Sequence, residues 1–140
     1  MSLDIIRLLF DFGLLVLIWL VQLVIYPGFR YYSKENLIAW HRNYTFGISL
    51  VVIPLMFGQL ISAGLQLFQN LNLYAIVSIV LIVIVWVSTF LQFVPMHNNI
   101  SKGIFDDALL NRMVRSNWLR TILWNLIFVS SISKPFFNQT

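Results

Sequence analysis

From Phe90 the chain reads Phe-Leu-Gln-Phe-Val-Pro-Met-His-Asn-Asn-Ile-Ser-Lys-Gly to position 103, and from Ser116 it reads Ser-Asn-Trp-Leu-Arg-Thr-Ile-Leu-Trp to position 124. This region leaves one apolar run and enters another. Between the two lie His97, four basic residues (Lys102, Arg112, Arg115, Arg120) and three asparagines that could reach the membrane surface (Asn98, Asn99, Asn117). The run it leaves, Leu73 to Val94, is rich in Ile and Val. That run is too long for a soluble strand and matches the roughly 20 apolar residues needed to cross a bilayer as a helix. An apolar helix, a polar reversal and a second helix therefore set the frame for the rest of the chain.

Composition agrees with lipid as the solvent. Of 140 residues, 59% are hydrophobic and 10% charged, with a mean hydropathy of +0.83. Soluble domains carry about 25% charged and about 45–50% apolar residues. The chain has no cysteine, which excludes disulfides, thiolate metal sites, thioether-linked haem and a cysteine nucleophile. Its net charge of +4 is small and dispersed, so nucleic acid is not an expected partner. The lipid bilayer is.

Working outward, the first span is expected over Ile5 to Tyr26, stopping at Pro27-Gly28. Its length and its acidic residues, Asp4 and Asp11, read as a retained helix rather than a cleaved leader. Arg7 and Asp11 share a face and can neutralise each other, and Gln22 and Tyr26 extend that stripe. Phe29 to Asn36 reads as a short polar loop. The second helix starts amphipathically at Leu37 and becomes a span over Phe46–Phe68, with a kink expected at Pro54 and a polar stripe of Gln59, Ser62 and Gln66. Gln69 to Asn72 is a tight turn, which makes the second and third helices antiparallel neighbours. On the third, Trp86, Thr89 (or Phe90), Phe93 and His97 share a face, and Pro95 should end or bend the helix. Asp106 and Asp107 suit the positive end of a fourth helix, which runs through Asn117 to about Ile132. The tail, Ser133 to Thr140, contains Pro135 and should fray. The expected fold is all-α: one domain, residues 1–140, an antiparallel four-transmembrane-helix bundle with spans near 5–26, 46–68, 73–94 and 117–132.

Seven of the nine basic residues then fall on one face (Arg30, Lys34, Arg42, Lys102, Arg112, Arg115, Arg120), leaving Arg7 and Lys134 with the termini. The positive-inside rule makes the basic face cytoplasmic and puts both termini outside the cytoplasm.

The same topology brings the two histidines, His41 and His97, to one depth at one face, although 56 residues separate them. Neutral imidazoles can shuttle protons or ligate iron; plain interfacial hydrogen bonding is the simpler reading. Asn117, Arg120, Thr121 and Trp124 recur at helical spacing. A guanidinium about one turn inside a span is costly unless it is paired, although snorkelling to the headgroups is a bland alternative. The expected site is a polar pocket at the cytoplasmic face. His41 or His97 would be the general base, Arg120 with Asn117 would steady an oxyanion, and Tyr44, Asn98, Asn117 and Trp124 would bind a lipophilic small molecule. Two other classes stay open: a non-catalytic binder, transporter component or assembly partner, and a haem or metal protein. No cofactor is identified, no metal shell is complete, and a homo-oligomer stays open.

These motifs, Tyr26-Pro27-x-Phe29, His41-x-x-Tyr44, Pro54-x-Met56, Val94-Pro95-x-His97-Asn98 with Gly103, and Asn117-Trp118-x-Arg120-Thr121-x-x-Trp124, resemble a largely uncharacterised family of small four-helix bacterial integral membrane proteins. More remotely the chain is similar to the anthrone-oxygenase-like membrane proteins. The resemblance implies the four-helix fold and a polar end. It also implies two departures, since relatives often carry a histidine where Tyr44 stands and a glutamate where Gln59 stands.

Overall fold

The computed structural model describes residues 2–137, and the side chains of residues 2–134 among them. Four helices account for nearly all of these residues: α1 (Leu3–Tyr31), α2 (Lys34–Gln69), α3 (Leu73–Ser101) and α4 (Asp107–Phe137). No strand occurs among the described residues. The connections are short, so consecutive helices must run antiparallel. α1 packs against α2 and α4, and α3 also packs against both, which closes the four into a ring.

Each boundary has a local cause. The Ser33 hydroxyl accepts the Asn36 N–H at 3.4 Å, Asn72 accepts the Ala75 N–H at 2.9 Å, and Asp106 accepts the Leu109 N–H at 2.9 Å. These oxygens cap donors that the first helical turn leaves free. α3 stops at Gly103, whose φ of 74° lies in the left-handed region. There the Gly103 N–H bonds to the Ile100 carbonyl at 3.0 Å and the Ile104 N–H to the Asn99 carbonyl at 2.8 Å. This closure fixes Ser101, two residues upstream.

Three of the helices, α1, α2 and α3, are long and apolar enough to cross a membrane by length and composition, each holding an 18-residue stretch of mean hydropathy 2.5, 2.0 and 2.6 respectively. α4 interrupts its apolar residues with Arg112, Arg115, Arg120 and Lys134 and falls short of that mark. Its outward stripe is nevertheless apolar: Leu119, Ile122, Leu126, Val129 and Ile132 are all exposed. Large apolar side chains are exposed on the other three helices as well, among them Phe12, Leu50, Ile61, Val83 and Leu91. The interior holds Leu14, Ile18, Ile82, Val85, Met113 and Ile127. α1 and α2 meet closely at Gly58, where an added Cβ would stand 2.3 Å from the Phe10 ring.

Two proline expectations change. α1 does not stop at Pro27-Gly28; it continues to Tyr31, so the expected loop Phe29–Asn36 shrinks to Tyr32 and Ser33. α3 likewise runs through Pro95 to Ser101. The reason is the same at both places. A π turn, Val21–Ile25 in α1 and Thr89–Phe93 in α3, precedes each proline. The Tyr26 N–H reaches back to the Val21 carbonyl and the Val94 N–H to the Thr89 carbonyl, five residues earlier. The hydrogen-bond register thus shifts just before the residue that has no N–H to offer, and the wider turn absorbs the ring. α2 is continuous through Pro54. α4 extends through Ser133–Phe137, residues expected to fray; positions 138–140 lie outside the described residues.

Candidate functional site

At the end of the bundle opposite the termini, His41 and His97 meet directly. His41 Nε2 and His97 Nδ1 are 2.8 Å apart, and the rings are nearly parallel, 26° between planes and 5.1 Å between centroids. The outer nitrogens are engaged too: His41 Nδ1 with the Ser101 hydroxyl and His97 Nε2 with the Tyr26 hydroxyl, each at 3.0 Å. His41 has no exposed surface. The two π turns help bring this about. Each inserts one residue, which rotates everything after it by about 100° relative to an unbroken helix. Tyr26 and His97 are the first and fourth residues after those turns.

Beside the pair lies a cavity of about 380 Å³. Most of its wall is apolar, with Ile18, Val52, Met56 and Phe93 inside and Ile53, Phe57, Phe90 and Val94 at a mouth between α2 and α3. Its polar end comprises Tyr26, Tyr44, His97, Asn98, Ser101 and Arg120. Arg120 is only 7% exposed, and no carboxylate forms a salt bridge with it among the described residues. Its guanidinium lies over the Phe93 ring at 4.2 Å and faces the Trp124 ring at 5.3 Å, close to the Tyr26 hydroxyl. Its Nε has no partner, and neither does the indole N–H of Trp86, another residue of the cavity wall. Aromatic faces partly compensate a buried cation, but they do not accept all five of its N–H donors.

Of the residues expected at the site, His97, Tyr44, Asn98, Arg120 and Trp124 line the cavity, and His41 stands directly behind His97. Asn117 does not join them. It is fully buried against α1, where its amide donates to Gln22 Oε1 at 2.9 Å. Three residues along a helix leave a lateral offset of about 60°, enough to turn Asn117 to α1 while Arg120 faces the cavity. Asn117 is accordingly not the partner of Arg120; aromatic rings are. Two residues of the arrangement were not anticipated as site residues, Tyr26 and Ser101. The available signal was the pair of X-Pro steps, Tyr26-Pro27 and Val94-Pro95, each of which marks a register change next to the site.

A second polar cluster occupies the end of the bundle near the termini. Arg7 Nε donates to both Asp11 oxygens at 2.9 Å, and its other nitrogens donate to Gln66 at 3.2 Å and Ser78 at 2.7 Å. Asp11 also accepts from Gln59 at 2.7 Å and from the Ser131 hydroxyl. Gln66 donates to Asp4, which pairs with Lys134. The Gln59 oxygen accepts the Trp124 indole N–H at 3.3 Å and so ties this cluster to the cavity wall.

The histidine pair does not fit a shared metal or haem iron. Two imidazoles ligating one ion at about 2.0–2.1 Å hold their nitrogens about 3.3 Å apart in a tetrahedral shell and about 4 Å apart when trans, with both lone pairs turned to the ion. These nitrogens are instead 2.8 Å apart and in direct hydrogen-bond contact. No group of three or more His, Asp or Glu able to hold a metal occurs among the described residues. No known protein family matches this chain, and no curated protein or solved structure is significantly similar to it.

Proposed function

We propose that this chain is an integral protein of a bacterial cytoplasmic membrane, with all four helices crossing the bilayer. Its cavity would take up a lipophilic small molecule and do acid–base chemistry on that molecule's head group. The observation that carries this reading is Arg120, a buried cation without a carboxylate, at the polar end of an otherwise apolar cavity. A cation in that position favours an anion or a developing oxyanion. The apolar wall suits the body of the molecule. The mouth between α2 and α3 lies among exposed apolar residues, so a bilayer-dissolved molecule can enter sideways. Tyr26 and Arg120 would receive the head group, with Tyr44, Asn98 and Trp124 around it. The chain of hydrogen bonds behind Tyr26 favours chemistry over recognition alone. The resemblance to small four-helix membrane proteins points to the same architecture.

Bilayer placement of α4 rests on its exposed apolar stripe. Orientation rests on Arg30, Lys34, Arg42, Lys102, Arg112 and Arg115, all exposed at the histidine end. These make that end cytoplasmic. A reporter that works only in the cytoplasm, fused after Thr140, should stay silent, and strong activity would overturn the orientation. For the site, the protein is purified into nanodiscs and titrated with matched lipophilic phenols and their O-methyl ethers, following tryptophan fluorescence. The phenols should bind, and Arg120→Met should remove most of their advantage over the ethers. Equal affinity for both series in the unmodified protein would refute a site built around Arg120.

A further inference from the structure

Four side chains connect the cavity to the end of the bundle: Tyr26, His97, His41 and Ser101, joined at 3.0, 2.8 and 3.0 Å. Tyr26, His97 and Ser101 all line the cavity, and His41 is fully enclosed behind them. Ser101, in the last turn of α3 at the cavity's outer rim, is also partly exposed, where its hydroxyl can meet water. The shared N···N contact couples the rings. A neutral imidazole carries one N–H, and a hydrogen bond between His41 Nε2 and His97 Nδ1 holds one proton. If His97 supplies it, the His41 proton must be on Nδ1, pointing to Ser101, and His97 Nε2 is free to accept from Tyr26. If His41 supplies it, His97 carries its proton on Nε2, pointing to Tyr26. The four groups therefore have two concerted states, with every donor pointing outward or every donor pointing inward.

Building on the cavity reading above, we infer that this row is a proton relay and that the ligand is a lipophilic weak acid, a phenol or an enol. Such a ligand enters from the bilayer as the neutral acid and is held as its anion against Arg120. In the outward state the ligand O–H bond breaks and its proton goes to the Tyr26 oxygen. The Tyr26 proton passes to His97 Nε2, the His97 Nδ1 proton to His41 Nε2, the His41 Nδ1 proton to Ser101, and the Ser101 proton to water. One proton leaves the ligand and one reaches water, with no change of oxidation state and no net charge left on the relay. The row ends in the inward state, set to return a proton by the reverse steps. An enol can thus be reprotonated at carbon after ionising at oxygen, which is keto–enol isomerisation. Arg120 supplies the charge that holds the anion, and the relay governs how fast the proton leaves.

Those separate roles give separable readouts. The probe is an alkylated 4-nitrophenol, whose phenolate absorbs apart from its phenol, mixed with nanodisc-embedded protein in a stopped flow. The wild type should bind it as phenolate and release about one proton per probe to a pH dye. His41→Phe should leave the phenolate amplitude in place and slow its appearance at least ten-fold; added imidazole should restore part of the rate. Phenylalanine suits the site because Phe29 and Tyr44 already flank that ring. Arg120→Met should instead remove the amplitude. If Arg120→Met removes the amplitude but the His41→Phe rate equals the wild type's, the relay is overturned while the cavity reading stands; if the amplitude survives in Arg120→Met, the cavity reading falls. If no phenolate forms in the wild type, the cavity reading falls and this inference with it. A ligand-free check holds even if a variant fails to fold: ¹⁵N-labelled wild type should show scalar coupling across the His41–His97 N–H···N bond, and two uncoupled rings would overturn the relay.

Discussion

Arg7 and Arg120 are both buried guanidiniums in one bundle, and they are treated in opposite ways. Every nitrogen of Arg7 has an acceptor: two carboxylate oxygens, an amide oxygen and a hydroxyl from α1, α2 and α3. Arg120 lies against aromatic faces, with its Nε unpartnered and no carboxylate in reach. The contrast separates structural from functional burial. A charge network in which every nitrogen is partnered leaves little for a ligand, and it serves to register the helices that meet in it. An under-saturated cation beside an apolar cavity keeps donors free, and in the proposed function these receive a ligand. Gln59 joins the two regions, bonding Asp11 on one side and the Trp124 indole on the other.

The sharpest way to break the contrast is Asp11→Leu. It leaves Arg7 charged, buried and without its carboxylate, a loss of about 3–5 kcal/mol for a buried pair. Chemical or SDS denaturation in micelles should show a drop of that size. Arg7→Met together with Asp11→Leu should recover most of it, because the pair rather than either charge is what the bundle tolerates. A near-zero effect of Asp11→Leu alone would mean that the Arg7 network is not structural.

Arg120 should respond the other way round. Arg120→Met removes a cation that has no carboxylate partner, so unfolding should move by no more than about 2 kcal/mol, the worth of a desolvated cation–π contact, while affinity for a phenolate falls at least ten-fold. Arg120→Lys retains the charge but lacks the planar fork and stacks less well on Phe93 and Trp124. It should impair binding nearly as much as Arg120→Met. Full binding by the lysine variant would mean that a point charge suffices and that the geometry over the rings is incidental.

The smallest effect sharpens the boundary between the two regions. Asn117 bonds Gln22 and faces away from the cavity, so Asn117→Leu should cost about 1 kcal/mol in stability, the net worth of one buried hydrogen bond. Phenolate affinity should not change. A selective loss of affinity in this variant would return Asn117 to the site.

The sequence alone determined the number of helices, their antiparallel order and the end of the bundle at which His41, His97 and Arg120 would gather. The causes are long-period ones: runs of apolar residues long enough to span, short turns between them, and caps such as Asp106 and Ser33. The pairing of Arg7 with Asp11 was also legible, because it lies within one helix at i,i+4 spacing. Only the tertiary structure decided which side chains touch across helices. The π turns at Val21–Ile25 and Thr89–Phe93 shift the phase of everything after them, so helical spacing counted through Pro27 or Pro95 misplaces a face by about one residue. Asn117 and Arg120 lie on one helical face in the sequence, yet α1 covers the first and the cavity receives the second. The ring-to-ring contact of His41 with His97, and its extension to Tyr26 and Ser101, depend on angular offsets of a few tens of degrees between separate helices, and those are set by packing rather than by any local pattern.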